Sequence, residues 1–562
     1  MEKIWKLNRR QIYLSLGLVT SLSIIYLQTY VSNRTDLQAE TPFKMAPYPS
    51  PVVRADRQTN RNQLKSLDVY KDPMEIYKSG VRCNDSLLAA EATRSAIYIQ
   101  GRSSVVLGEY FCFSVVLYNG YGNPKVIGGD HLRARLFNER LKAYTPGTIL
   151  DHGNGTYTAT VQALWTGQAQ LQVEVLYTKE IMTTAVRLRS TWDFDGIKAI
   201  YMNKNLSDST ACGPDYKTVL RHSKISKLCD FSYWNKTQPW FCGKPKGKLS
   251  CKHWITITRD WANFTIGISL CEEELCKSDR TTTIPSNITV QTLPRTDNKY
   301  NTTFQEANIP CSFYNNTKLW FKEKPTGYFY NDRWILLHCK GIEHFDGQCL
   351  KNKTIVFWGD STLFQWCTYL MEKLCPGGKY AFSEWSKIKK CTICKYSINI
   401  CFLGHNIPVF QFWKEDLHSF FINNSFEDFI NARSGKGKDL LLVLHLYLHI
   451  QQYHFDYYAA HILELRRSLV RIFETKPNIK VFIKLPHTHR RMDVGEWQLR
   501  VNDYIGLVYS NILRQAFKGL YNKVTVLDQM DATVAKRSLD IHPSRALVGE
   551  MVNQFLSYIC IC

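Results

Sequence analysis

Acidic side chains are in short supply. The 562 residues carry 49 Asp and Glu against 71 Lys and Arg, a formal net charge of +22. No tract gathers that excess, so it predicts a solvated basic surface and no nucleic-acid-binding arm. Paired short cysteine spacings with imidazole partners are missing between residues 200 and 350, which argues against zinc there. Long apolar runs are almost absent. Only Ile12 to Val31 is apolar over about the ~20 residues that a bilayer needs, and no small-residue cleavage site stands out after it.

What is present starts with that run. Lys3, Lys6, Arg9 and Arg10 precede it. Positive charge before a span keeps the N-terminus cytosolic and sends the remainder into the lumen. The expectation is a type II signal-anchor over 12–31 with a cytosolic tail of 1–11. A cleaved signal peptide is the rival reading, because Ser15, Thr20, Ser21, Ser23 and Gln28 dilute the run. Eighteen cysteines fit an oxidising compartment. So do the sequons at Asn33, Asn84, Asn154, Asn205, Asn235, Asn263, Asn287, Asn301, Asn315, Asn352 and Asn423, each a glycosylation acceptor. Localisation is read as the secretory pathway, either Golgi membrane or secreted. The polyanions met there are sialylated or sulfated glycans and acidic lipid.

A chain of this length implies about three domains. Residues 32–90 carry Pro42, Pro47, Pro49 and Pro51 in a polar setting and read as a stem. Residues 91–199 read as all-β. The runs 95–99, 110–118, 131–136, 155–163 and 169–177 alternate or are β-branched, and glycines separate them. That spacing predicts an immunoglobulin-like sandwich. Residues 200–350 are loop-rich, and their cysteines read as disulfides. Residues 351–562 alternate strands with helices, as in an α/β/α domain built on a parallel sheet. DLLLVLHLYL, from Asp439 to Leu448, reads as a strand buried on both faces. Cys391-Thr392-Ile393-Cys394 reads as part of a disulfide, and Cys560 and Cys562 as paired with other cysteines. No metal site and no cofactor are expected.

The chemistry centres on KTIVFWGDSTLFQWCTYLMEKL, Lys353 to Leu374. Thr354 to Trp358 is a short β-forming run. Gly359, Asp360 and Ser361 break it. From Leu363 the apolar residues fall at helical spacing. Ser361 therefore sits at a helix N-terminus, where free N–H groups and the dipole favour developing negative charge. A serine nucleophile needs a base. His542 follows the last expected strand, Val524 to Leu527, and precedes the last helix. Asp540 lies two residues earlier, so an extended loop would present both on one side. Ser361, His542 and Asp540 are the candidate nucleophile, base and orienter. His487, His489, Arg490 and Arg491 follow the strand 480–485 and read as a solvated basic loop, with contact to an anionic group as the sharper alternative.

WGDSTLFQW, DLLLVLHLYLH and the closing LDIHP…FLSYIC resemble the neurexophilin and PC-esterase domain (NXPE) family. GNPKVIGGDHLRARL and DHGNGTYTATVQALWTGQAQLQVEV resemble its neurexophilin sandwich. The order of domains matches as well. PC-esterase domains resemble GDSL/SGNH hydrolases, a group whose members add or remove acyl groups on carbohydrates. The resemblance implies Ser361 as nucleophile and His542 as base, with Asp540 beside it. It also implies further oxyanion donors, for which Gly404 and His449 are the available residues. The chain departs from the usual pattern at three places. Leu539 stands where Asp-x-x-His has its Asp, His449 stands where an Asn is usual, and Phe364 replaces an expected basic residue.

Two readings follow. One is a lumenal O-acyl esterase or transferase acting on glycan hydroxyls, acetyl above all. Its partners would be a glycan or glycoprotein substrate, anionic glycans included, with no nucleic acid, and the membrane through 12–31 if that run is uncleaved. The other is an inert tethered or secreted glycoprotein that binds a partner through its immunoglobulin-like module.

Overall fold

The computed structural model describes Tyr77 and residues 82–191, 197–223, 227–232, 239–259, 267–277, 282–296, 302–304, 307–375, 392–404, 430, 439–490 and 497–560. The expected span 12–31, Arg491, Cys391, Cys562, and Asn33, Asn235, Asn263, Asn301 and Asn423 lie outside them. Among the described residues no helix is long and apolar enough to cross a membrane.

The first module is a two-sheet sandwich. Its strands begin with β1 (Ala96–Gln100), β2 (Ser104–Val106), β3 (Tyr110–Val116), β4 (His131–Asn138), β5 (Ala143–Pro146), β6 (Thr148–Asp151), β7 (Thr156–Gln162) and β8 (Gly167–Tyr177). Burial alternates along β3 and β7, as the pleat requires when one face packs and the other is wet. Phe111, Phe113, Val115, Tyr157, Ala159 and Val161 supply one inner face. Leu132, Ala134, Leu136, Leu171, Val173 and Val175 supply the other. The helix α1 (Lys179–Ser190) then leads to β9 (Ile197–Asn203) and β10 (Leu206–Gly213). Those two strands, with β11 (Leu228–Asp230), β12 (Phe241–Gly243) and β13 (Trp254–Arg259), make a separate sheet ordered β11-β12-β10-β9-β13.

The chain then returns to the sandwich. β14 (Thr289–Leu293), β15 (Gly327–Tyr330) and β16 (Arg333–Leu336) complete a seven-stranded sheet ordered β16-β15-β5-β4-β8-β14-β2, facing β1-β3-β7-β6. The cysteine-rich segment is thus partly a structural piece of the sandwich. Its disulfides tie it in both directions. Cys212–Cys242, Cys229–Cys251 and Cys311–Cys339 are internal, Cys271 reaches Cys83, and Cys349 reaches Cys560. Cys394 pairs with Cys375, outside its C-x-x-C, and Cys401 is also disulfide-bonded.

The C-terminal domain is a mostly parallel sheet with helices. β17 (Thr354–Gly359) leads into α2 (Ser361–Leu374), followed by β18 (Thr392–Ile393), β19 (Asn399–Gly404) and β20 (Leu440–His445). α3 (Phe455–Thr475), β21 (Lys480–Lys484), α4 (Trp497–Arg500), α5 (Asp503–Ala516), β22 (Val524–Leu527), α6 (Met530–Ala535) and α7 (Arg545–Ser557) complete it. The order is β18-β19-β17-β20-β21-β22, with only β18 antiparallel. Every residue of β17 and β20 is buried, as expected for strands covered on both faces. Residues 497–516 form two helices where the periodicity alone predicts one. The Asn502 side chain accepts the Ile505 N–H at 3.0 Å, and this N-cap restarts the helix.

The sandwich is docked on this domain. The Tyr177 hydroxyl donates to the His489 carbonyl at 2.9 Å, and Arg135 donates to the Ala535 carbonyl at 2.9 Å. Arg537 is paired with Glu174 at 2.7 Å, and Arg133 with Asp503. Arg189, fully buried on α1, donates to the carbonyls of Ala185, Gln451, Leu499 and Arg500.

Candidate active site

β17 is central, with β19 on one side and β20 on the other. Successive connections from β17 and from β20 therefore run in opposite directions. That reversal leaves a crevice at the carboxyl ends of the strands, where α/β sheets place their ligands. Gly359, Gly404 and His445 lie level with one another there. Gly359 is required by crowding. A Cβ at that position would stand 2.7 Å from Leu363 Cδ2 and 2.9 Å from the His445 carbonyl oxygen.

Asp360 follows, wholly buried, as the N-cap of α2. Its Oδ1 accepts from Thr362 N–H at 2.9 Å and from Thr362 Oγ1 at 2.7 Å. Its Oδ2 accepts from Leu448 N–H at 3.2 Å, which brings the turn bearing His449 against the serine turn. Ser361 is the first residue of α2 and half-buried. Asp360 already occupies the next N–H, so the Ser361 backbone N–H is the donor left nearest the Oγ.

Ser361 Oγ lies 2.8 Å from His542 Nε2. The two are 181 residues apart and come together because β17 and the α6–α7 loop end on the same side of the sheet. His542 is exposed. Its loop is held by its carbonyls on both sides. Gln365 Nε2, one turn along α2 from Ser361, donates to Pro543 at 3.1 Å, and His487 Nε2 donates to Ile541 at 2.9 Å.

Asp540 is placed differently from the extended-loop expectation. The backbone bends through residues 540–542 and is not the extended loop expected there. Asp540 is exposed, and among the described residues no hydrogen bond or ion pair joins it to His542. The sequence 487–490 also differs from a solvated basic loop. His487 and His489 are wholly buried and Arg490 is 6% exposed. Burial lowers the His489 pKa to about 3 and holds His487 well below the usual imidazole range. Both rings are therefore neutral at physiological pH.

Beneath the serine turn lies a cation that the sequence pattern did not single out. Lys484 ends β21 and is 2% exposed. Its Nζ is 3.2 Å from Thr362 Oγ1, 3.0 Å from His445 Nε2 and 3.1 Å from His487 Nδ1. Burial lowers its pKa to about 7, and the nearby Asp360 carboxylate opposes that shift. The available signal was a lysine closing an otherwise apolar strand, KVFIKL. Among the described residues no group of His, Cys, Asp or Glu is arranged to hold a metal ion.

Two family models match this sequence. "NXPE family member 4-like, C-terminal domain" covers residues 334–560, and "Neurexophilin" covers residues 115–272. The chain belongs to the NXPE family. The first match contains Ser361, His542 and the whole parallel sheet. The second runs from the sandwich into the β9–β13 sheet, so the family's own unit crosses the composition change near residue 200. Among solved structures, the chain is similar to one titled "Structure of a family two carbohydrate esterase from Cellvibrio japonicus". The identity is 8%, the match covers 82% of this chain and 96% of that one, and the TM-score is 0.21. That score is too low to indicate a common fold.

Proposed function

We propose that this NXPE protein is a serine-dependent O-acyl esterase or O-acyltransferase acting on carbohydrate hydroxyls, with acetyl as the group moved. One observation carries the proposal: Ser361 Oγ and His542 Nε2 stand at hydrogen-bond distance, 2.8 Å, at a helix N-terminus on the sheet's switch point. In this reading His542 Nε2 takes the Ser361 proton as Oγ attacks the acyl carbonyl. The tetrahedral oxyanion faces the Ser361 N–H, with Gly404 and His449 as further donors. His542 returns the proton to the departing alcohol oxygen, leaving an acyl-serine. Water or a sugar hydroxyl then takes the acyl group by the same steps in reverse, giving hydrolysis or transfer.

The setting is proposed as the lumen of the secretory pathway. The six fully described disulfides support it, since such bonds persist in oxidising compartments. So does the exposure of every sequon asparagine among the described residues: Asn84, Asn154, Asn205, Asn287, Asn315 and Asn352.

The test is turnover of an O-acetylated glycan, or of an acetyl donor with a glycan acceptor, by wild type, Ser361→Ala, His542→Ala and the double variant. Each single change should remove nearly all activity, and the double should cost little more, because a base has nothing to deprotonate once the hydroxyl is gone. Unchanged turnover in Ser361→Ala refutes the proposal. The departures at Leu539 and His449 favour a second reading, an inert binding glycoprotein. That reading expects no turnover in any of the four.

A further inference from the structure

Four carbonyls of the loop carrying His542 are held by neighbours. Thr488 Oγ1 donates to Ser538 at 2.9 Å, Arg490 N–H to Leu539 at 2.6 Å, His487 Nε2 to Ile541 at 2.9 Å and Gln365 Nε2 to Pro543 at 3.1 Å. Three of these donors come from the buried run that follows β21. That run is tied in turn to the serine side through Lys484.

With both imidazoles neutral, the hydrogen-bond directions in this cluster follow from their partners. His487 Nε2 faces a carbonyl and must carry the proton, so Nδ1 is the acceptor. His445 Nδ1 faces the Lys484 carbonyl at 2.8 Å and carries a proton there, so in the neutral ring Nε2, which also lies 3.6 Å from Asp360 Oδ2, is an acceptor. The Thr362 hydroxyl donates to Asp360 and so accepts from Lys484. The Lys484 ammonium has three N–H donors and meets three acceptors. A neutral amine has two, and its lone pair would face a third acceptor.

We infer that Lys484 and His487 are positioning residues that hold the His542 loop in register with the Ser361 turn, through the chain Thr362–Lys484–His487–Ile541. This rests on the reading of Ser361 and His542 as nucleophile and base, and it adds what keeps them 2.8 Å apart. Neither residue touches substrate. The groups facing the lysine are Asp360 and Thr362 from the serine turn, Trp366 from α2, His445 from β20 and His487 from the following run. Tyr447 packs at an angle against both imidazoles, and Tyr458 of α3 lines a small cavity with Lys484.

The arrangement gives a signature that a merely structural role lacks. Proton loss from Lys484 above about pH 7 removes one of the three bonds and loosens the base loop. Its effect on folding runs the other way. The unfolded chain keeps this proton up to about pH 10.4 while the folded chain has released it. The unfolded state then binds more protons, and the group's contribution to stability rises with pH across that window.

The experiment is the rate of labelling of Ser361 by a serine-reactive fluorophosphonate, read by mass spectrometry between pH 5.5 and 9.5 with melting temperature measured in parallel. Wild type should slow on the alkaline side with no matching fall in melting temperature. Lys484→Met and His487→Phe should each slow labelling about tenfold or more, and the double variant little more than either, since both cut one chain. Lys484→Met should lose the alkaline decline. Should Lys484→Met fail to fold, His487→Phe and the wild-type profile still decide. A wild-type rate in the variants, or an alkaline decline that follows melting, overturns the inference and leaves the nucleophile assignment standing. A wild type that is not labelled at all removes both.

Discussion

The hydroxyl of Tyr177, the last residue of a sandwich strand, donates to the carbonyl of His489, two residues beyond His487 in the run beneath the candidate base. The sandwich is thus built against the C-terminal domain at the level of the candidate site. Arg189, on the helix that leaves the sandwich, is buried against Gln451, Leu499 and Arg500 of the C-terminal domain.

This docking predicts shared stability. Tyr177→Phe leaves a buried carbonyl without its donor, at a cost of about 1–3 kcal/mol. Arg189→Ala strips donors from four carbonyls and should cost about 3 kcal/mol or more. Thermal unfolding of the chain from residue 82 should be a single transition that both changes lower. Two separate transitions, with only the lower one moved, would contradict it.

Gly359→Ala should damage the site without adding polarity. The new methyl meets Leu363 Cδ2 at 2.7 Å and the His445 carbonyl oxygen at 2.9 Å, so α2 or β20 must shift. Overpacking of this kind costs about 1–3 kcal/mol. The melting temperature should fall, and activity should fall further than the lost stability explains. Crystal structures of the variant would show whether the Ser361–His542 separation has grown.

Much of this was legible in the sequence. β17, the serine turn and α2 are read from one change of period between Thr354 and Leu374. DLLLVLHLYL announces a strand buried on both faces, and Arg545 to Ser557 buries the residues that its helical spacing selects. Other features depend on contacts that no local pattern carries. β14, β15 and β16 are short strands among cysteines, and only their long-range pairing assigns them to the sandwich. His487 and His489 have the composition of a solvated loop, and only the long-range contacts of Lys484, which pairs with His487 and His445, show that the run is buried. The pairing of Asp540 with His542 depends on an extended loop, and the backbone bends at 540–542.

The disulfides make a prediction about secretion. Cys349–Cys560 joins the start of the C-terminal domain to its last helix across 211 residues. Losing such a bond costs about 2–5 kcal/mol. If the chain is made in the secretory pathway as proposed, Cys349→Ser and Cys242→Ser should both lower its secreted yield and increase its retention in cells. Equal yields with and without the bonds, in non-reducing gels that show them formed, would contradict this.

Glycan load follows from exposure. Asn84, Asn154, Asn205, Asn287, Asn315 and Asn352 are all accessible. Cell-made protein should gain gel mobility on treatment with an N-glycosidase, in steps that Asn→Gln changes at these positions remove. Unchanged mobility would place this part of the chain outside the lumen.

The central claim is that Ser361 is a nucleophile activated by His542. Its most direct measurement is covalent labelling of the purified protein by a fluorophosphonate, with the modified residue identified by mass spectrometry. The account predicts one adduct, on Ser361, absent in Ser361→Ala and slowed by at least about a hundredfold in His542→Ala. No adduct on Ser361 in folded wild-type protein, or equal labelling in His542→Ala, would contradict it.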